Sequence, residues 1–272
     1  MKNLSIIVAI LSIACPSYAT AVESSSGSSL FLSDEVGGAN LGGNLEESAG
    51  VVIDNSTASK YLHRKGIKWQ SGISIEDNVK AIANSAYKDC STQIVELDLD
   101  KAVKLKSIGD FAFFRACFSN SIYLPHYLKS IGRYAFAGNP YLESISAGEN
   151  ASQLKVIGPF AFSGCISLKK FIFPSGLERI GEGAFAGCIS LTAAKINGKT
   201  VVEKGAFAGC TGLKEVTIGG GANVEEGAFT GCHLLNKVNV VEGANIHPQA
   251  FDQLVKQVYC KQPQKLLLPN LL

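Results

Sequence analysis

The sequence predicts a repeat solenoid, and three observations carry that expectation. An aromatic preceded by Ala recurs at Tyr87, Phe113, Phe136, Phe162, Phe185, Phe207, Phe229 and Phe251, at spacings of 26, 23, 26, 23, 22, 22 and 22 residues. Five residues before each stands an aliphatic, in order Ile82, Ile108, Ile131, Ile157, Ile180, Val202, Val224 and Ile246. After each of the first seven comes an apolar pair separated by one residue, for example Phe171/Phe173 and Val216/Ile218. A fixed period in this range marks a unit that cannot bury its apolar face alone, so that neighbouring units complete each other's core.

Residues 1–21 read as a signal peptide, with Lys2 as the positive start, an apolar run from Leu4 to Ala14, and small residues thereafter. That run is about eleven residues, short of the roughly 20 that span a bilayer. Cleavage after Ala19 or Ala21 fits the small-residue rule. A competing reading starts from Leu11-Ser-Ile-Ala-Cys15, which resembles a lipoprotein box with an unfavourable Ser. In that case Cys15 carries lipid and tethers the domain to a membrane. Either reading takes the protein out of the cytoplasm. Residues 22–60, rich in Ser and Gly with few aromatics, read as a flexible spacer.

The solenoid is expected over residues 61–272, as about eight units with terminal caps. Leu62, Ile67, Trp69 and Ile73 suggest the N-terminal cap, and Leu254 to Cys260 a final strand. Within a unit the apolar pair implies a short strand with one face inward, so the inward pairs are Leu97/Leu99, Ile122/Leu124, Ile145/Ala147, Phe171/Phe173, Ala194/Ile196, Val216/Ile218 and Val238/Val240. Stacked, these strands form a parallel sheet. The Gly-rich segment around the aromatic returns the chain on the opposite side as a turn or single helical turn. Its aromatics are expected to stack into a spine.

Three residues after the aromatic, Cys165, Cys188, Cys210 and Cys232 occupy a position that Ala116 and Asn139 fill in other units. The substitutions favour small, buried free thiols, with a disulfide between stacked neighbours as the alternative. Zinc is disfavoured, since no Cys-x-x-Cys pair occurs.

The string Leu177-Glu-Arg-Ile-Gly-Glu-Gly-Ala-Phe-Ala-Gly-Cys-Ile-Ser-Leu191 resembles the leucine-rich repeat of BspA-like surface proteins, as do Ile108-Gly-Asp-Phe-Ala-Phe113 and Ile157-Gly-Pro-Phe-Ala-Phe162-Ser-Gly-Cys165. Pro125 and Pro174 fall at the family's post-strand proline, and the resemblance covers about Val79 to Cys260. It departs in the last three units, where Val202-Glu203, Val224-Glu225 and Ile246-His247 replace Ile-Gly. The resemblance implies a leucine-rich-repeat solenoid with strands on a concave face, and a surface-associated, adhesive role.

No constellation for catalysis emerges. His63, His126, His233 and His247 form no metal-binding spacing, and Gly219-Gly220-Gly221 lacks the Lys-Ser/Thr of a phosphate loop. Asn55-Ser-Thr57 and Asn150-Ala-Ser152 match a glycosylation acceptor, relevant only in a eukaryotic host. A net charge of +2 with 18% charged residues provides no strong field for nucleic acid or acidic membranes. No cofactor or metal is expected, and the protein is not expected to be an enzyme.

Binding therefore falls to the outward row of the strands: Glu96, Asp98, Ser121, Tyr123, Ser144, Lys170, Ile172, Lys195, Glu215, Lys237 and Asn239. Tyr123 and Ile172 stand out as an aromatic and an aliphatic pointing to solvent. The function expected is an exported, secreted or cell-surface recognition protein, binding a protein or glycan ligand on a cell surface or matrix. Membrane contact is expected only through a lipidated Cys15. A self-assembling envelope component without a dedicated ligand is the competing reading.

Overall fold

A computed structural model describes residues 51–54, 56–64, 70–89, 93–118, 121–146, 153–252 and Val255. Its strands, in chain order, are β1 (Val51–Ile53), β2 (Leu62–Arg64), β3 (Gln70–Ser74), β4 (Val79–Ile82), β5 (Gln93–Asp98), β6 (Ser107–Ile108), β7 (Ser121–Tyr123), β8 (Ser130–Ile131), β9 (Ser144–Ser146), β10 (Val156–Ile157), β11 (Lys170–Ile172), β12 (Arg179–Ile180), β13 (Ala193–Ile196), β14 (Val201–Val202), β15 (Glu215–Ile218), β16 (Asn223–Val224), β17 (Lys237–Val240) and β18 (Asn245–Ile246). Nine of them form one sheet in the order β1-β4-β6-β8-β10-β12-β14-β16-β18. The others form three triplets, β2-β3-β5, β7-β9-β11 and β13-β15-β17. Apart from β2 with β3, the pairings are parallel, and beyond single register shifts in β1 with β4 and β3 with β5 they are in step, so Ile108 lies beside Ile131 and Val216 beside Val238.

Each unit has three hydrogen-bonded sides. The first is the two-residue strand that ends in the inward Ile or Val. Ile108, Ile131, Ile157, Ile180 and Val202 are buried there, and β-branched side chains suit such a half-buried pleat. The glycine that follows lets successive units nest closely: a Cβ on Gly158 would stand 2.7 Å from the Gly132 carbonyl carbon. In the sixth and seventh units Glu203 and Glu225 replace that glycine, and their carboxylates accept the Glu182 and Lys204 N–H groups at 2.9 and 3.1 Å.

The second side is the turn bearing the aromatic. Its N–H donates to the carbonyl of the next unit's Ala, as from Phe113 to Ala135 at 2.7 Å and from Phe185 to Ala206 at 2.7 Å. That bond holds each ring on its neighbour. From Tyr87 to Phe251 the successive centroids are 4.9 to 5.3 Å apart, with interplanar angles of 3 to 22°. The aromatic spine is thus continuous, and Phe113 through Phe229 within it are fully buried.

The third side carries the longer strands. Their inward residues Leu97, Ile122, Phe171, Ala194, Val216 and Val238 are buried, as the alternation predicts. Phe171 and Phe173 reach the spine edge-on, at 5.0 and 5.4 Å from Phe185. Leu142, Leu168, Leu191, Leu213 and Leu235 close the core beside them.

Three features differ from expectation. The segment read as a plain return turn contributes the longest sheet, because its Ile or Val and the residue before it pair with both neighbours. The sheet expected to be continuous is interrupted twice, between β5 and β7 and between β11 and β13, and at the second break Asn197 bridges the gap by donating from Nδ2 to the Phe173 carbonyl at 3.1 Å. Strand structure is also present before residue 61. β1 pairs with β4 and buries Ile53, moving the end of the expected spacer from residue 60 to no later than 50. Asp54 secures this start: its Oδ1 accepts from the N–H groups of Ser56 and Thr57 at 3.0 Å, ahead of a 3-10 turn over Ala58–Tyr61. Hydrogen bonds from the Ser56 and Thr57 side chains hold its carboxyl below the usual carboxylate value. The expected cap residue Ile73 is buried, while Ile67, Trp69, residues 1–50 and, apart from the buried Val255, the strand expected over Leu254 to Cys260 lie outside the described residues.

Candidate functional site

The outward row forms two ordered patches. In the triplet β7-β9-β11, Ser121, Ser144 and Lys170 lie on adjacent rungs, and Tyr123, Ser146 and Ile172 line up beside them. Ser144 Oγ donates to Ser121 Oγ at 2.6 Å. Tyr123 is 66% exposed beside these small side chains, and Ile172 is half-buried. Tyr127 and Tyr141 are also exposed, at 47% and 50%.

In the triplet β13-β15-β17 the row is internally satisfied. Glu215 Oε1 accepts from Lys237 Nζ at 2.8 Å and from Asn239 Nδ2 at 3.0 Å, while Lys195 stays exposed. Asp98 turns to the chain itself, accepting the Asp100 N–H at 3.0 Å. Glu96 lies in β5 in register with Gly72. The eleven predicted residues thus form separate groups, and in the Tyr123 group the exposed ring stands beside a row in which Ser144 and Ser121 bond to each other.

The cysteine column proves to be chemically specific. Cys165, Cys188, Cys210 and Cys232 are buried free thiols, and each donates from Sγ to the carbonyl of the preceding unit's aromatic, Phe136, Phe162, Phe185 and Phe207, at 3.1 to 3.3 Å. Asn139 obeys the same rule: its Nδ2 donates to Phe113 O at 3.0 Å and to Phe136 O at 2.7 Å, and its Oδ1 accepts the Phe118 N–H at 3.3 Å. Where the position carries Cys or Asn it sets a small donor against that carbonyl, while the buried Ala116 fills it by volume alone. Burial pushes the Cys165 and Cys210 thiols up to about 12, and those of Cys188 and Cys232 also rise well above 9.0. Such thiols stay protonated, which removes them as nucleophiles.

Two further columns were not anticipated. The residue two before the spine aromatic takes a left-handed backbone in successive units: Ser85, Phe111, Tyr134, Phe160, Gly183, Gly205 and Gly227 have φ between 52 and 65°. For an L side chain this conformation costs about 1–2 kcal/mol, yet Phe111, Tyr134 and Phe160 use it to form a second stack with centroids 5.0 Å apart. Lys88 lies over Phe111 at 5.4 Å and Arg133 over Tyr134 at 5.2 Å. Gly183 ends the stack, since the Phe160 ring fills the space a Cβ would need, 2.3 Å away.

The other column stands seven residues before the aromatic and reads Lys80, Lys106, Lys129, Lys155 and Glu178. Extending the alignment two residues upstream of the conserved Ile would have exposed it.

Among the described residues no group of three or more His, Cys, Asp and Glu side chains could hold a metal ion. His126, His233 and His247 are exposed, and His247 Nδ1 accepts the Gln249 N–H at 3.1 Å. A groove of about 440 Å³ beside the C-terminal rungs is lined by Lys204, Asn223, Glu225, Asn245 and His247, among others. Its polar groups are largely spent on each other, with Asn245 Nδ2 donating to Asn223 Oδ1 at 2.7 Å and Lys204 paired with Glu226 at 3.6 Å. No described helix is long and apolar enough to cross a membrane.

Parallel rungs, a buried Leu column, a stacked aromatic spine and an outward strand row define a leucine-rich-repeat solenoid. The model of the BspA type leucine rich repeat region matches residues 61–154 and 149–256 in six copies, and the chain belongs to that family. No curated protein matches the sequence at a significant level. Among solved structures, a leucine-rich repeat protein from Bacteroides ovatus is 24% identical, with a TM-score of 0.43 over 62% of this chain and 60% of that one. A leucine rich cell surface protein from Faecalibacterium prausnitzii is 20% identical, with a TM-score of 0.34 over 62% of this chain and 59% of that one. The Treponema pallidum leucine rich repeat protein is 21% identical, with a TM-score of 0.47 over 76% of this chain and 95% of that one. The chain thus spans about three fifths of the length of the first two.

Proposed function

We propose that this protein is an exported, non-enzymatic recognition module that binds a protein or glycan of a cell surface or matrix through the Tyr123 face of β7-β9-β11. One observation carries the reading: Tyr123, 66% exposed, rises from a row of serines and stands in register with the aliphatic Ile172. An exposed aromatic on a rigid strand is a low-entropy anchor, and truncating such an anchor typically costs about 2 kcal/mol or more of binding. Membership of the BspA-type family supports the surface assignment. The apolar start of the chain and its Ser/Gly-rich continuation support export.

The test is an array of matrix proteins and cell-surface glycans probed with the full chain and with Tyr123→Ala. A ligand lost on substitution, with thermal unfolding unchanged, supports the assignment. Equal binding by the two proteins counts against this face. Concentration-dependent assembly without any array ligand would favour the envelope-component reading.

A further inference from the structure

We infer that the nine-stranded sheet carries a second binding surface, a lysine ladder that recognises a linear acidic glycan, separate from the Tyr123 face. The backbone places the lysines on consecutive rungs. Lys106 N–H donates to Lys80 O at 2.8 Å, Lys129 N–H to Lys106 O at 2.8 Å, and Lys155 N–H to Lys129 O at 2.9 Å. Four lysines therefore occupy consecutive rungs at about 4.8 Å per rung, the spacing of neighbouring strands; Lys106, Lys129 and Lys155 are exposed and Lys80 is half-buried. Like charges at that distance repel, and nothing in the repeat requires Lys here, because the same position holds Glu178 and Thr200 in later units.

The side-chain ion pairs of this sheet gather toward its C-terminal rungs, while among the lysine rungs the Asp110 carboxylate accepts the Arg133 backbone N–H at 2.7 Å. From Glu178 onward the cations of the face are paired, Lys155 with Glu178 at 3.1 Å, Arg179 with Glu203, and Lys204 with Glu226 at 3.6 Å. Upstream, Lys106, Lys129 and Arg133 are exposed and make no ion pair among the described residues. A net charge of +2 over the chain conceals this local excess.

The strained aromatics sit on the same rungs. Phe111, Tyr134 and Phe160 follow the short strands that the lysines precede, so a rung carries cation and ring within roughly 17 Å of chain. Stacking covers the ring faces, leaving edges at the surface, and aromatic edges carry the positive end of the quadrupole. Both columns thus favour an anion. One cation per rung matches a polymer with about one charge per sugar-sized step, and falls well below the charge density of duplex nucleic acid, one per about 1.7 Å. A second copy of the chain is a poorer occupant, because the carboxylates it would present from Glu178, Glu203 and Glu226 are already engaged.

The experiment measures binding of the full chain to a heparin octasaccharide, to neutral dextran and to single-stranded DNA across a salt series. Expected is heparin binding that weakens with salt, no dextran binding, and weaker DNA binding. Lys106→Gln/Lys129→Gln should lose affinity on the order of tenfold, with a shallower salt dependence by about one unit per lysine. Tyr134→Gly, which suits the left-handed backbone, should lose less while staying folded. Lys170→Gln, on the other face, should bind like the parent. Heparin binding unchanged in the double variant, tighter DNA binding than heparin binding, or charge-dependent dimerisation in place of glycan binding would each overturn the inference. Failure of Tyr123→Ala to alter its own ligand leaves this surface standing, so the two assignments fail separately.

Discussion

Replacement of Asn139 tests whether the column behind the spine is defined by hydrogen bonding or by volume. In Asn139→Ala the Phe118 N–H loses its acceptor at 3.3 Å inside a buried site, and an orphaned buried group costs about 1–3 kcal/mol. The two carbonyls fare better, because Phe113 O keeps the Ala116 N–H at 3.3 Å and Phe136 O keeps Cys165 Sγ at 3.3 Å. Each loses one net hydrogen bond, about 0.5–1.5 kcal/mol. The total is about 2–6 kcal/mol, a large share of a typical domain's 5–15 kcal/mol. Asn139→Cys restores the donor used in the later units but not the acceptor for Phe118, so it should cost about 2 kcal/mol. Asn139→Asp would face two carbonyl oxygens with a carboxyl group. Burial raises its folded pKa above the unfolded value of about 3.9, so this variant is most stable in acid and weakens as pH rises from the unfolded pKa through the folded one. Urea unfolding at pH 5 and pH 8, followed by circular dichroism, measures all three. A loss below about 1 kcal/mol for Ala, or a Cys variant no better than Ala, would show that volume alone rules the column.

The thiols and Gly183 yield further predictions. Brief maleimide labelling at pH 8 with peptide mapping should modify the half-buried Cys117 well before Cys165, Cys188, Cys210 or Cys232, and equal rates would contradict their burial. With folded values near 12 for Cys165 and Cys210 against 9.0 for an ordinary thiol, their contribution is complete below pH 9.0 and declines as pH rises toward 12. The urea midpoint should therefore fall between pH 8 and pH 10.5, and by less in Cys165→Ala/Cys210→Ala once its own baseline is subtracted. Gly183→Ala combines a φ of 58° with a Cβ only 2.3 Å from the Phe160 ring, and should lower stability by about 2–3 kcal/mol in the same melt. A neutral result would mean that the second aromatic stack moves freely.

The parts of the fold legible in the sequence are those enforced by burial. Ile180, Phe185 and Leu191 recur because a rung with a missing apolar group leaves a hole against two neighbours, and the residues alone show that. The outward positions were legible for the same reason, as the complement of an alternating strand. Asn139 was not, since its meaning lies in the carbonyl of Phe113, 26 residues away in sequence. The break after β11 depends on Asn197 substituting a side chain for a ladder bond, which no periodicity reports. β1 was lost in a segment of spacer-like composition, where Val51, Val52 and Ile53 are too few to make a pattern. The lysine column repeats like the spine, but charged residues vary widely on solvated strands, so its regularity becomes informative only when backbone bonds place it on one edge.

Units from Phe185 to Phe251 share a length of 22 residues and a common register, so excision of residues 186–207 would preserve the pairing of the two-residue strands but lose the bonds from Asn197 Nδ2 to Phe173 O and from Thr200 Oγ1 to Leu177 O, because Gly219 and Ala222 take those places. The stretch from Phe111 to Phe160 lacks this interchangeability, because its stacked rings and Asn139 each depend on a particular neighbour. The molecule joins units of uniform length to less regular ones, and the two surfaces proposed for ligands lie on the N-terminal side of Phe185.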